Sequence, residues 1–127
     1  MTRHTGFLTA TLALLAMVAA CRTGSTEPGE SGVRWNADQT ATDTRRGVDL
    51  VISYDASGRR FNGTVTNTTG ATVTDVRVEI HLSNGTELGP TPRVDLAAGA
   101  KQSVTLDAAG QNFDWYSVHV ELGSSSG

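Results

Sequence analysis

The 127 residues carry ten Lys and Arg against thirteen Asp and Glu, a formal charge of -3, and one cysteine. That length holds at most one ordinary domain. The acidic balance and the scattered basic residues exclude a nucleic-acid binder, which needs a basic stripe to displace counterions, and the lone Cys21 excludes an intrachain disulfide and a zinc site built from cysteines.

In chain order, Arg3 gives a positive start, Phe7 to Val18 is apolar apart from Thr9 and Thr11, and the small Ala19 and Ala20 lead into Cys21. An apolar run this short with a small-residue exit reads as a secretory signal over residues 1–20 and not as a spanning helix. Val18-Ala19-Ala20-Cys21 resembles the bacterial lipobox. The resemblance implies acyl chains attached through the Cys21 sulfur, cleavage just ahead of it, and a membrane partner reached through that lipid. Each buried acyl CH₂ contributes about 0.8 kcal/mol, so one chain is a marginal anchor and several hold firmly. The other reading is an ordinary cleaved signal that ends beside a free cysteine. Arg22 stands after the cysteine; by analogy with enterobacterial sorting this points to the outer membrane, if the cell has one.

Residues 21–47 read as the lipidated cysteine and a flexible tether. Arg22 to Gly32 is Gly, Ser, Thr, Glu and Pro without apolar periodicity, a composition that cannot bury enough surface to offset chain entropy. Val33-Arg34-Trp35 is the first apolar cluster, and Asn36 to Arg46 is polar again. Trp35 either docks on the domain as an extra edge strand or meets a partner or membrane surface, docking being the reading favoured because aromatic rings are seldom left free.

From Val48 onward the chain reads as short strands. Val48, Leu50, Ile52 and Tyr54 share a face; Phe61, Gly63 and Val65 share another; Val76, Val78, Ile80 and Leu82 alternate with Arg77, Glu79, His81 and Ser83. Alternation of this kind sends every second side chain into a core and leaves the others in water. Asp55 to Gly58 and Thr68 to Gly70 supply turns, and Asn84-Gly85 is a strong hairpin signal because both residues tolerate positive φ. Leu88, Arg93 to Leu96 and Gln102 to Leu106 continue the pattern around an Ala97 to Ala100 turn, a longer loop runs from Asp107 to Asp114, and Tyr116, Val118, Val120 and Leu122 make a closing strand before a frayed tail over residues 123–127. About seven short strands with closely spaced turn signals and no helix predict an all-β fold, a small immunoglobulin-like β-sandwich over residues 48–122. Its core is expected to rest on Phe61, Val78, Ile80 and Val118.

Phe61 to Leu106 carries a further resemblance. Gly63-Thr64-Val65-Thr66-Asn67, the valine-rich strand, the Asn-Gly turn and Leu96-Ala97-Ala98-Gly99 together look like the FxLYD domain, an immunoglobulin-like sandwich of prokaryotic envelope lipoproteins. The naming motif falls on Ile80-His81-Leu82-Ser83-Asn84, where Leu82 is retained. The family brings no catalytic residues, so the resemblance implies a non-catalytic module.

Candidate chemistry is sparse. If His81 and His119 lie on strands separated by a third, they stand about 9–10 Å apart, too far to share one ion bonded at about 2 Å. Solvated surface histidines are then expected, with no metal and no cofactor. Ser117, His119 and Glu121 offer nucleophile, base and acid, but in line on one strand and without an oxyanion turn. Asn62-Gly63-Thr64, Asn67-Thr68-Thr69 and Asn84-Gly85-Thr86 match the glycosylation pattern and read more simply as strand and turn residues. Trp115 and Tyr116 are the densest aromatic pair, beside the long loop, and with Trp35 they are the candidate partner-binding residues; the alternative is that Trp115 caps one end of the core. The expectation is a lipid-anchored envelope protein that binds a protein or glycan or serves as an accessory subunit. The alternatives are a structural spacer and a small hydrolase.

Overall fold

The computed structural model describes residues 32–124. The signal segment, Cys21 with the tether as far as residue 31, and residues 125–127 of the tail lie outside the described residues. Nine strands run through them: β1 (Trp35–Asn36), β2 (Thr40–Arg45), β3 (Val48–Asp55), β4 (Arg60–Asn67), β5 (Val73–Leu82), β6 (Glu87–Leu88), β7 (Val94–Leu96), β8 (Lys101–Asp107) and β9 (Trp115–Glu121). Four form one sheet in the order β2-β3-β4-β8; the second runs β1-β9-β5-β6, and β7 also pairs with β5. Every pairing is antiparallel. The described residues form an all-β sandwich.

The ordered sheet begins at Trp35 and not at Val48, which corrects the expected tether and accounts for the two strands beyond the predicted seven. Trp35 pairs with Tyr116 and packs partly buried against the core, so it docks as an edge strand. β2 then pairs with β3 along its whole length, from Thr40 with Ser53 to Arg45 with Val48. Its polar composition hides a strand because its inward side is only partly apolar. Ala41 is fully buried, whereas Asp43 accepts the Val120 N–H at 2.9 Å and Arg45 donates to the Val120 carbonyl at 3.3 Å. Those two side chains satisfy the edge of β9 beyond the reach of β1, where bare backbone groups would otherwise invite pairing. The outward Thr40, Thr42 and Thr44 are β-branched and suit a pleated surface. Between β2 and β3, Arg46 and Gly47 both take positive φ, the geometry of a tight two-residue hairpin turn. Gly47 is required there, since a Cβ would stand 2.3 Å from Thr69 Cγ2.

The core follows the predicted alternation. Val48, Leu50, Ile52, Phe61 and Val65 from one sheet meet Val76, Val78, Ile80, Leu82, Val118 and Val120 from the other, all buried. Gly63, between Ile52 and Val104 in the sheet, has no room for a side chain: a Cβ would lie 2.2 Å from the Val51 carbonyl oxygen. A bulge between Val73 and Val76, with Asp75 at φ 55°, resets the register so that Val76 starts the buried series. The far edge of β5 is closed in three pieces: β6 pairs at Ile80 and His81, Thr91 exchanges bonds with Val78, and β7 pairs at Val73 and Val76.

One end of the sandwich is built from aromatic rings. Phe61 meets Tyr116 at 4.8 Å between centroids, Tyr54 meets Phe61 at 5.0 Å and Phe113 at 4.9 Å. Phe113, on the loop between β8 and β9, thereby fastens that loop over the end of the core. The tail is not wholly frayed: the Gly123 carbonyl accepts from Arg77 and Arg93, each at 3.0 Å.

Candidate functional site

Two places gather polar chemistry: the outer face of the β5–β9 pair, and a cleft at the aromatic end. On the outer face the antiparallel register sets Glu79 opposite His119, Arg77 opposite Glu121, and His81 opposite Ser117. Because β5 and β9 are direct neighbours, His81 and His119 sit diagonally across one ladder, with ring centroids 4.9 Å apart and stacked. The separation of about 9–10 Å inferred from an intervening strand is therefore corrected; the topology places none between them.

The same face corrects a second expectation, that alternation leaves these side chains in water. Arg77, Glu79, His119 and Glu121 are all buried, and His81 and Ser117 are half-exposed. Long polar side chains on one sheet face lie across one another and exclude water while satisfying each other. Arg77 pairs with Glu121 at 2.9 Å, His119 Nε2 lies 2.9 Å from Glu79 Oε2, and Glu121 Oε1 stands 3.7 Å from the same ring nitrogen. Carboxylates outnumber the single guanidinium, and Glu87 adds another opposite His81 on β6. One nitrogen or oxygen from each of Glu79, His81 and His119 lies within 4.8 Å of the others. Spacing along the sequence did not reveal this trio, because it depends on which strands are neighbours.

The cleft, of about 530 Å³, is lined by Tyr54, Ser83, Asn84, Gln111, Asn112, Phe113, Asp114 and Trp115. That volume lies within the range of small-molecule sites, about 300–1,000 Å³. The apolar slot of about 140 Å³ between Val65, Val76, Val94 and Val104 falls below that range. Two turns hold the cleft's walls together. Asn84 donates to Gln111 Oε1 and to the Asn112 carbonyl, each at 3.0 Å, and Ser83 Oγ accepts the Asp114 N–H at 2.8 Å. Asn84 acts through this amide; of the Asn-Gly pair only Gly85 takes positive φ, so the turn is made differently from the predicted pairing of two left-handed residues.

The candidate aromatic residues part company here. Trp115 lines the cleft, half-buried on the outer side of β9, with the Arg34 guanidinium 4.1 Å from its ring centre. Tyr116 points the other way. It is fully buried, its hydroxyl donates to the Gln39 carbonyl, and burial raises its pKa above the usual value against a smaller opposing effect of a backbone bond at Ala41. Tyr116 is thus a core residue and not a partner contact, and Trp35, opposite it, packs with the core as well. Cys21 lies outside the described residues. Phe113, Gln111 and Asp114 carry no pattern in the sequence beyond that of a loop, and the aromatic between Asn112 and Asp114 is the signal in that stretch for a packed loop. Comparison of the chain with protein families, with curated proteins and with solved structures returned no match.

Proposed function

We propose that this chain is a lipid-anchored protein of the bacterial cell envelope whose immunoglobulin-like sandwich is a non-catalytic binding module, and that the cleft at its aromatic end takes a glycan. The observation that carries this reading is the lining of that cleft. Tyr54, Phe113 and Trp115 offer ring surface beside the amides of Gln111 and Asn112 and the carboxylate of Asp114. Sugars present apolar C–H faces and a rim of hydroxyls, so they are bound by flat aromatic surface next to side chains that both donate and accept hydrogen bonds. The walls are held by Asn84 and Ser83 before any ligand arrives, and preorganisation of this kind lowers the ordering cost of binding. The lipobox resemblance at Val18 to Cys21 supports an envelope location, where glycans are abundant.

Co-sedimentation of the full chain with insoluble cell-wall glycan tests the reading. The wild type is expected to sediment with the glycan, and Trp115→Ala and Asp114→Ala to stay in the supernatant while melting normally. Equal sedimentation of wild type and variants would remove the cleft from the account, and no sedimentation of the wild type would remove the glycan.

A further inference from the structure

We infer that Glu79, His81 and His119 form a binding site for a divalent transition-metal ion on the outer face of β5 and β9, separate from the cleft. Two imidazoles and one carboxylate are a donor set suited to zinc, copper or nickel, whereas calcium and magnesium ask for oxygen ligands throughout. The strand register delivers the set: Glu79 is directly opposite His119, and His81 is diagonal to it. Their donor atoms lie within 4.8 Å of one another, and His119 Nε2 and Glu79 Oε2 are already 2.9 Å apart.

Donors at about 2.1 Å from an ion in tetrahedral geometry stand about 3.4 Å from each other. The Glu79–His119 spacing is close to this, so the remaining adjustment falls on His81. That ring is the half-exposed member of the trio and stacks on His119 at 4.9 Å between centroids, so a small tilt of the stack brings its nitrogen to the ion. The ion takes the place of the proton shared between His119 Nε2 and Glu79 Oε2, and that proton leaves to water. Glu121 then flanks the site: its Oε1 is 3.7 Å from His119 Nε2 and its Oε2 is held by Arg77 at 2.9 Å. The carboxylates Glu79, Glu121 and Glu87 outnumber the one guanidinium, so a cation is favoured electrostatically as well. Three protein ligands leave a fourth position for water or a ligand group.

Titration calorimetry on the tag-free full chain in detergent, with zinc chloride as the probe and calcium chloride as the control, tests the inference. The expected result is one zinc ion per chain with a Kd of about 10 µM or tighter, no heat with calcium, and an affinity at least tenfold weaker in both His81→Ala and Glu79→Gln. His81→Gln, closer in size, serves if the alanine variant fails to melt cooperatively. Absence of zinc binding by the wild type below about 1 mM, or wild-type affinity in a folded His81 variant, would overturn the inference and leave His119 and Glu79 as a structural pair.

Discussion

Asn67 Nδ2 donates to the Leu96 carbonyl at 2.9 Å, a buried bond that ties the last residue of β4 in one sheet to the last residue of β7 in the other. The same amide also reaches the carbonyls of Ala71 at 2.8 Å and Ala97 at 3.1 Å, while its oxygen accepts from the Thr69 N–H and hydroxyl. Asn67 is fully buried, and its bond to the Leu96 carbonyl is buried with it. Asn67→Ala should cost about 2–3 kcal/mol, because carbonyls left buried without donors carry their full desolvation penalty. Asn67→Asp should cost at least as much at neutral pH, since a carboxylate cannot donate. Urea melts of the two variants check this.

The register of β5 gives a paired prediction. Ile80 is fully buried and its neighbour His81 is half-exposed. Ile80→Ala should cost about 2–5 kcal/mol through lost burial and a residual cavity, a large share of the 5–15 kcal/mol usual for a domain. His81→Ala should cost no more than about 1 kcal/mol. The ranking of the two midpoints in denaturant decides, because a register shifted by one residue would reverse it.

Tyr116 links stability to alkaline pH. Burial raises its pKa, so the fold favours the neutral phenol. The unfolded chain ionises first, near pH 10. The contribution of Tyr116 is therefore complete below about pH 10 and is lost as the pH climbs through the raised folded value. Stability should fall as the pH rises above about 10, and Tyr116→Phe should flatten that fall while losing about 1 kcal/mol at neutral pH with the bond to Gln39. Denaturant melts across the pH series measure both effects.

The sandwich itself was legible because its core strands obey period-two alternation: Val76, Val78, Ile80 and Leu82 are buried in that order. β2 was not legible, because Asp43 and Arg45 point inward to serve the backbone of β9 and so break the apolar pattern that identifies a half-buried strand. Histidine positions along two strands likewise say nothing of their distance until the strand order is known. With β5 beside β9, residues 38 apart in sequence stack their rings. The cleft was legible in part. Trp115 stood out by its ring, whereas Asn84 and Ser83 earn their place only by bonds to a loop 27 to 31 residues away.

Anchoring has its own test. Cys21→Ser should move the protein from the membrane fraction to the soluble fraction of the cell, because the sulfur is the proposed point of lipid attachment. Immunoblots of the two fractions read this out, and a mutant retained in membranes at the wild-type level would contradict the lipid.

The most direct test of the cleft as a glycan site is an amide NMR titration of the chain in detergent micelles with soluble cell-wall glycan fragments. Saturable shifts are predicted for Ser83 to Thr86, Gln111 to Trp115 and Tyr54, with the opposite end of the sandwich around Asn67 and Ala97 unmoved. Shifts centred elsewhere, or none at millimolar fragment, would contradict the account.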